Sequence, residues 1–135
     1  MEMQRENFTQ FYEEFGQGIP VLALPPFPFD HHIWREQRPL GAIARVITPD
    51  YRGVGQSTVT PGPYDMALLA EDAFRLLDHL DINRVVVMGD SMGVYVAFAM
   101  YAQHPERIRG LIVADSRAEA DAPEQAERRK KTVEG

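Results

Sequence analysis

RVVVMGDSMGVYVAFAMYAQHP (residues 84–105) decides how the rest of the chain reads. Val85, Val86 and Val87 form a β-branched run that suits a strand. Gly89-Asp90-Ser91-Met92-Gly93 follows without a gap. An apolar pattern of helix length then runs to His104, where Pro105 disfavours helical geometry in the residue before it. Strand, sharp turn and helix in that order make Gly-x-Ser-x-Gly a nucleophile elbow, where an arbitrary match would be a plain Gly/Ser turn. The serine of an elbow holds a strained backbone, and side chains beside it would strike the crossing strand and helix; glycine avoids that clash. The turn leaves the hydroxyl exposed at a helix N-terminus, where the Met92 N–H can bind a developing oxyanion. Ser91 is therefore the candidate nucleophile. A nucleophilic serine also needs a base, and usually an acid to orient it.

Bulk properties narrow the setting. A chain of 135 residues, 44% hydrophobic and 25% charged, suits one globular domain. The formal net charge of −6 disfavours nucleic acid as a partner, because phosphate binding wants a basic face. With no cysteine, neither a disulfide framework nor a thiolate metal site can form. The start, MEMQRENFTQ, lacks an apolar signal core, and no run approaches the length of a membrane span. A cytoplasmic protein without membrane contact is the expectation.

Outward from the elbow, strands alternate with helices. NFTQFYEEFG (7–16) reads as one bent strand or a hairpin, and IPVLALP (19–25) as a buried strand ended by prolines. HHIWREQRPL reads as a short helix, ARVITPD (44–50) as a strand, and YRGVGQSTVTPGPY (51–64) as a Gly/Pro-rich loop. Asp65 reads as the N-cap of a helix whose apolar face is Met66, Leu69, Ala73, Leu76, Leu77 and Leu80. IRGLIVAD (108–115) is a further strand, and the remainder is a charged tail. Such alternation implies a mostly parallel sheet of about six strands in a three-layer α/β sandwich. Chemistry then belongs beyond the carboxyl ends of the strands, at PPFPFDHH, DYRGVG, GDSMG and Asp115.

Four segments, in order, resemble the N-terminal half of an α/β-hydrolase: VLALPPFPFDHHIW, VITPDYRGVGQS, the elbow, and HPERIRGLIVAD. The nearest branch is the esterase, lactonase and cofactor-free haloperoxidase group. The resemblance implies a second oxyanion donor, the N–H of Phe27. Pro25-Pro26 stands where the family has His-Gly, and Phe27–Pro28 is a candidate cis bond. Val94 replaces a frequent glycine. The family's chains are about twice as long, and its usual histidine and acid lie in the half that has no counterpart here. Residues 1–117 thus read as a half-length hydrolase core, and 118–135 as a charged helical tail or the start of a cap.

The resemblance implies no cofactor. Among the histidines, His31 and His32 lie just past Phe27 and are the candidates for the base; otherwise they simply begin a helix capped by Asp30. His79 reads as a surface residue, and His104 as a structural or surface one. Asp115 resembles an alternative acid position, or else caps the tail. Asp50 and Arg52 are expected to hold their loop by a salt bridge and backbone hydrogen bonds. No ligand spacing completes a recognisable set, so no metal is expected. The apolar edge near 108–114 favours a homodimer. The expected activity is hydrolysis of a small activated ester through an acyl-enzyme at Ser91, with a Ser–His dyad. The alternatives are an inactive assembly or ligand-binding module, and one half of a split hydrolase.

Overall fold

The computed structural model describes residues 1–134; Gly135, the last residue of the expected tail, lies outside them. Six strands form one sheet: β1 (Glu2–Arg5), β2 (Phe8–Phe15), β3 (Ile19–Leu24), β4 (Ala44–Pro49), β5 (Val85–Asp90) and β6 (Ile108–Ala114). Their spatial order is β1-β2-β4-β3-β5-β6. β1–β2 and β2–β4 pair antiparallel, whereas β3 pairs parallel with both β4 and β5, and β5 with β6. The segment 7–16 is thus one strand whose hairpin partner is β1. The sequence reading had no strand there, because Glu-Met-Gln-Arg carries no run of strand-forming residues.

Side-chain alternation along the central strands splits the core between two faces. Leu22, Leu24 and Ile47 face helices α1 (Met66–His79) and α2 (Met92–Gln103). Val21, Ala23 and Val46 face the other way, onto Trp34 of a 3₁₀ helix at His31–Ala42. The three layers are therefore unequal, a helix pair on one side and one 3₁₀ segment on the other. Asp65 caps α1 as read, its carboxylate accepting the Leu68 N–H at 2.8 Å. Such a cap is worth about 1 kcal/mol. Leu76 and Leu77, fully buried, contribute about 1.5–3 kcal/mol each, so docking on the sheet holds α1 more strongly than its cap does. The tail forms helix α3 (Pro123–Glu134). Among the described residues no helix is long and apolar enough to cross a membrane.

Candidate active site

Ser91 sits between β5 and α2 with φ 49° and ψ −109°, a conformation that side-chain-bearing residues rarely adopt. The two elbow glycines are required sterically. A Cβ on Gly93 would lie 2.2 Å from the Leu24 carbonyl oxygen, and one on Gly89 2.6 Å from the Gly93 backbone. The first turn of α2 thus rests directly on the end of β3. Val94, where the resemblance leads one to expect a third glycine, is accommodated fully buried. The Ser91 N–H donates to the Ala114 carbonyl at 3.0 Å, tying the elbow to β6. Ser91 itself is exposed at the N-terminus of α2.

Phe27 and Met92 meet at one cavity of about 390 Å³, whose other walls include Tyr51, Val54, Tyr64 and Leu69. That volume suits a small ligand, and the lining is predominantly apolar. The Phe27–Pro28 bond is cis. The Tyr51 hydroxyl is buried without a hydrogen-bond partner among the described residues. Burial pushes its phenol far above the usual range, so it stays protonated.

Two carboxylates flank the elbow. Asp90 ends β5, and burial, then the charge of Asp115, raise its pKa above the ordinary aspartate range. Asp115, just past β6, is exposed and has φ 46°. It does not cap the tail helix, which begins at Pro123. Among the described residues it makes no hydrogen bond to a histidine.

The histidines are placed otherwise than a Ser–His dyad requires. His31 is buried. Its Nδ1 lies 2.8 Å from Asp50 Oδ1, and its Nε2 faces Glu13 Oε1 at 3.8 Å. Glu13 is on β2, three strand spacings from β5 and the elbow, or roughly 14 Å at 4.8 Å each. Both ring nitrogens thus face carboxylates, and among the described residues the ring makes no hydrogen bond to Ser91, the contact expected of the base. His32 is half-exposed and bonds Asp30 Oδ1 through Nδ1 at 2.8 Å. Asp30 also caps the 3₁₀ helix by accepting the His32 N–H. Burial acts upward on its pKa, but the backbone and ring bonds from His32 outweigh it and hold the carboxyl below the usual range. His79 and His104 are exposed, as read. Among the described residues no imidazole hydrogen-bonds the Ser91 hydroxyl.

Asp50 holds its loop by a backbone hydrogen bond, as expected, but the salt bridge to Arg52 is replaced by two separate networks. Fully buried Asp50 accepts the His31 N–H at 2.8 Å, the Gln56 N–H at 2.9 Å and the His31 ring. Arg52 instead grips Asp72 of α1 through Nε and an η nitrogen, both at 2.6 Å, and Arg5 adds a third bond at 2.7 Å. Sequence reading passed over Asp72. Its one signal was an acidic residue inside the buried stretch of an amphipathic helix, which demands a partner but does not name it.

Comparison with known proteins agrees with this architecture. The pattern of the alpha/beta hydrolase fold family matches residues 19–133. A thermophilic esterase from Thermogutta terrifontis superposes with a TM-score of 0.88 at 42% identity, over 94% of this chain and 47% of that one. A hydrolase from Pseudomonas aeruginosa gives 0.86 at 32% identity, over 98% and 52%. Among curated sequences, a 2-hydroxymuconate semialdehyde hydrolase from Pseudomonas putida is 35% identical over 109 residues, 75% of this chain and 37% of its own. The chain spans about a third of that relative's length and about half of the two solved structures. An elbow serine forced into positive φ, glycines pinned by β3 and α2, and a match running from β3 into α3 lead to one conclusion: this chain belongs to the α/β-hydrolase fold family.

Proposed function

We propose that Ser91 is the nucleophile of a hydrolase of small, activated carboxylic esters, with Phe27 and Met92 N–H groups as the oxyanion donors. The observation that carries the reading is the strained, exposed Ser91 at the N-terminus of α2, beside a cavity bordered by both proposed donors. The likeness to the Thermogutta esterase supports an ester as the substrate class. Ser91 Oγ attacks the acyl carbon, its proton passes to an imidazole, and the alcohol leaves with that proton. Water then releases the acid. The imidazole comes from polypeptide outside the described residues, seated on the open edge of β6; another copy of this chain in a homodimer is one such source. Asp115, at the end of β6, is the acid closest in sequence to that junction. Without a well-oriented imidazole, turnover falls about 10⁴-fold below an intact triad.

The test is hydrolysis of p-nitrophenyl acetate together with labelling by a serine-directed phosphonate. Ser91→Ala should lose both while staying folded. A variant that keeps the parent rate removes Ser91 from the chemistry. A second reading, an assembly module without catalysis, is favoured by the Ser91 hydroxyl having no imidazole partner among the described residues. It predicts no phosphonate adduct on the parent protein, alone or mixed with a complementary chain.

A further inference from the structure

Three arginines from three elements line one cavity of about 530 Å³: Arg5 at the end of β1, Arg52 in the loop after β4, and Arg75 on α1. Their charges are unevenly matched. Arg5 and Arg52 converge on a single carboxylate, Asp72, whose Oδ1 accepts from Arg5 at 2.7 Å and from Arg52 at 2.6 Å. One carboxylate neutralises one guanidinium, so the mostly buried pair keeps a surplus positive charge. Both cations also lie over the Phe8 ring, 5.6 and 4.7 Å from its centroid. The ring face attracts them but accepts no conventional hydrogen bond. Arg75 is already neutralised by Glu71, one turn away on the exposed face of α1. Glu6 lines the same cavity, yet among the described residues it forms no ion pair with any of the three. A guanidinium carries five N–H donors. That of Arg5 gives one to Asp72 and makes no other hydrogen bond among the described residues. The Thr60 hydroxyl, which accepts from Arg52 at 3.1 Å, stands on the same wall.

We propose that the cavity between Arg5, Arg52 and Arg75 binds a small tetrahedral oxyanion of the phosphate type, which cancels the surplus charge and accepts the donors that Asp72 leaves unused. Guanidinium is the side-chain group best matched to such oxyanions. Donors arriving from three elements suit a tetrahedral ion better than a flat carboxylate, which a single fork satisfies. Arg52 borders the cavity beside Ser91 as well, but the proposed site is bounded by the β1–β2 turn, the loop after β4 and α1, so its readout is binding and stability. The experiment is to titrate the whole chain with sodium phosphate by calorimetry and to follow thermal unfolding, with sodium chloride at matched ionic strength beside it. One phosphate per chain is expected, with a Tm that rises with phosphate concentration. Phosphate also raises Tm generally, by exclusion from protein surfaces, so the variants decide. Arg75→Gln, at an exposed position outside the Asp72 network, should weaken binding about 10-fold, and Arg5→Gln at least as much. Glu6→Gln removes a competing carboxylate and should tighten binding about 3-fold. Arg84→Gln, exposed and outside the cavity wall, should bind as the parent does. Absence of binding, a Tm rise as large in Arg75→Gln as in the parent, weaker binding in Glu6→Gln, or equal loss in Arg84→Gln overturns the site. In that event Arg5 and Arg52 serve only to hold Asp72.

Discussion

The sheet has two edges, and they meet their surroundings in different ways. At one edge β1 is four residues long and carries Glu2, Gln4 and Arg5, the short charged edge that resists pairing with other chains. Behind it, Arg5 and Arg52 converge on Asp72, whose side chain is 3% exposed. At the other edge β6 is seven residues long, with Ile112 49% and Val113 47% exposed. Its outer hydrogen-bonding groups face no strand of the described chain. The first edge spends its polar groups on internal bonds. The second leaves apolar groups in water, and the elbow and its two carboxylates lie beside it. The sheet is closed off where no chemistry is expected and open where it is.

Substitution can break that contrast from either side. The largest effect belongs to the closed edge. Asp72→Ala strands two guanidiniums that are 22% and 11% exposed, which should cost about 3 kcal/mol in urea unfolding. A loss under ~1 kcal/mol would show that water already satisfies them. At the open edge, Val113→Lys should change stability by no more than about 0.5 kcal/mol, yet convert the proposed dimer to monomers by light scattering. A parent that is already monomeric at micromolar concentration removes the dimer and, with it, that source of the imidazole.

The smallest effect is electrostatic. Because the folded pKa of Asp90 is raised, the fold binds that proton more tightly than the unfolded chain does. Its contribution to stability therefore declines as pH rises from the ordinary aspartate range through the raised value. Asp115→Asn should lower the Asp90 midpoint in a carboxyl NMR titration while leaving it above ordinary aspartate, since burial is the larger cause. An unchanged midpoint would separate the two carboxylates.

Local pattern made the elbow, the helix α1 with its Asp65 cap, and the open strand β6 legible in the sequence. Each depends on residues within one or two turns of each other. Partner choice was not legible. Asp50 was expected to pair with Arg52, two residues away, and instead took His31 and Gln56, while Arg52 went to Asp72. β4 ends at Pro49, so the strand alternation that would put positions 50 and 52 on one face no longer holds there, and proximity along the chain predicts little about which charges meet. His31 shows the same effect. Its loop does leave β3, the strand next to the elbow strand, but the Asp50 bond turns its ring toward β2.

The position of β3 at the centre of the sheet governs the order in which this chain can be built. Val21 pairs with Val46, 25 residues on, and with Val86, 65 residues on. Closing the longer loop costs about 0.9 kcal/mol more than the shorter one, a small difference in equilibrium but a long one in time. At ~5–20 residues per second, β5 leaves the ribosome seconds after β4. Throughout that interval the flank of β3 that will meet β5, with Leu22 and Leu24 on it, is without its partner. The nascent chain is then most open to aggregation or to a chaperone, and the arrival of Val85–Asp90 both ends that exposure and delivers the serine.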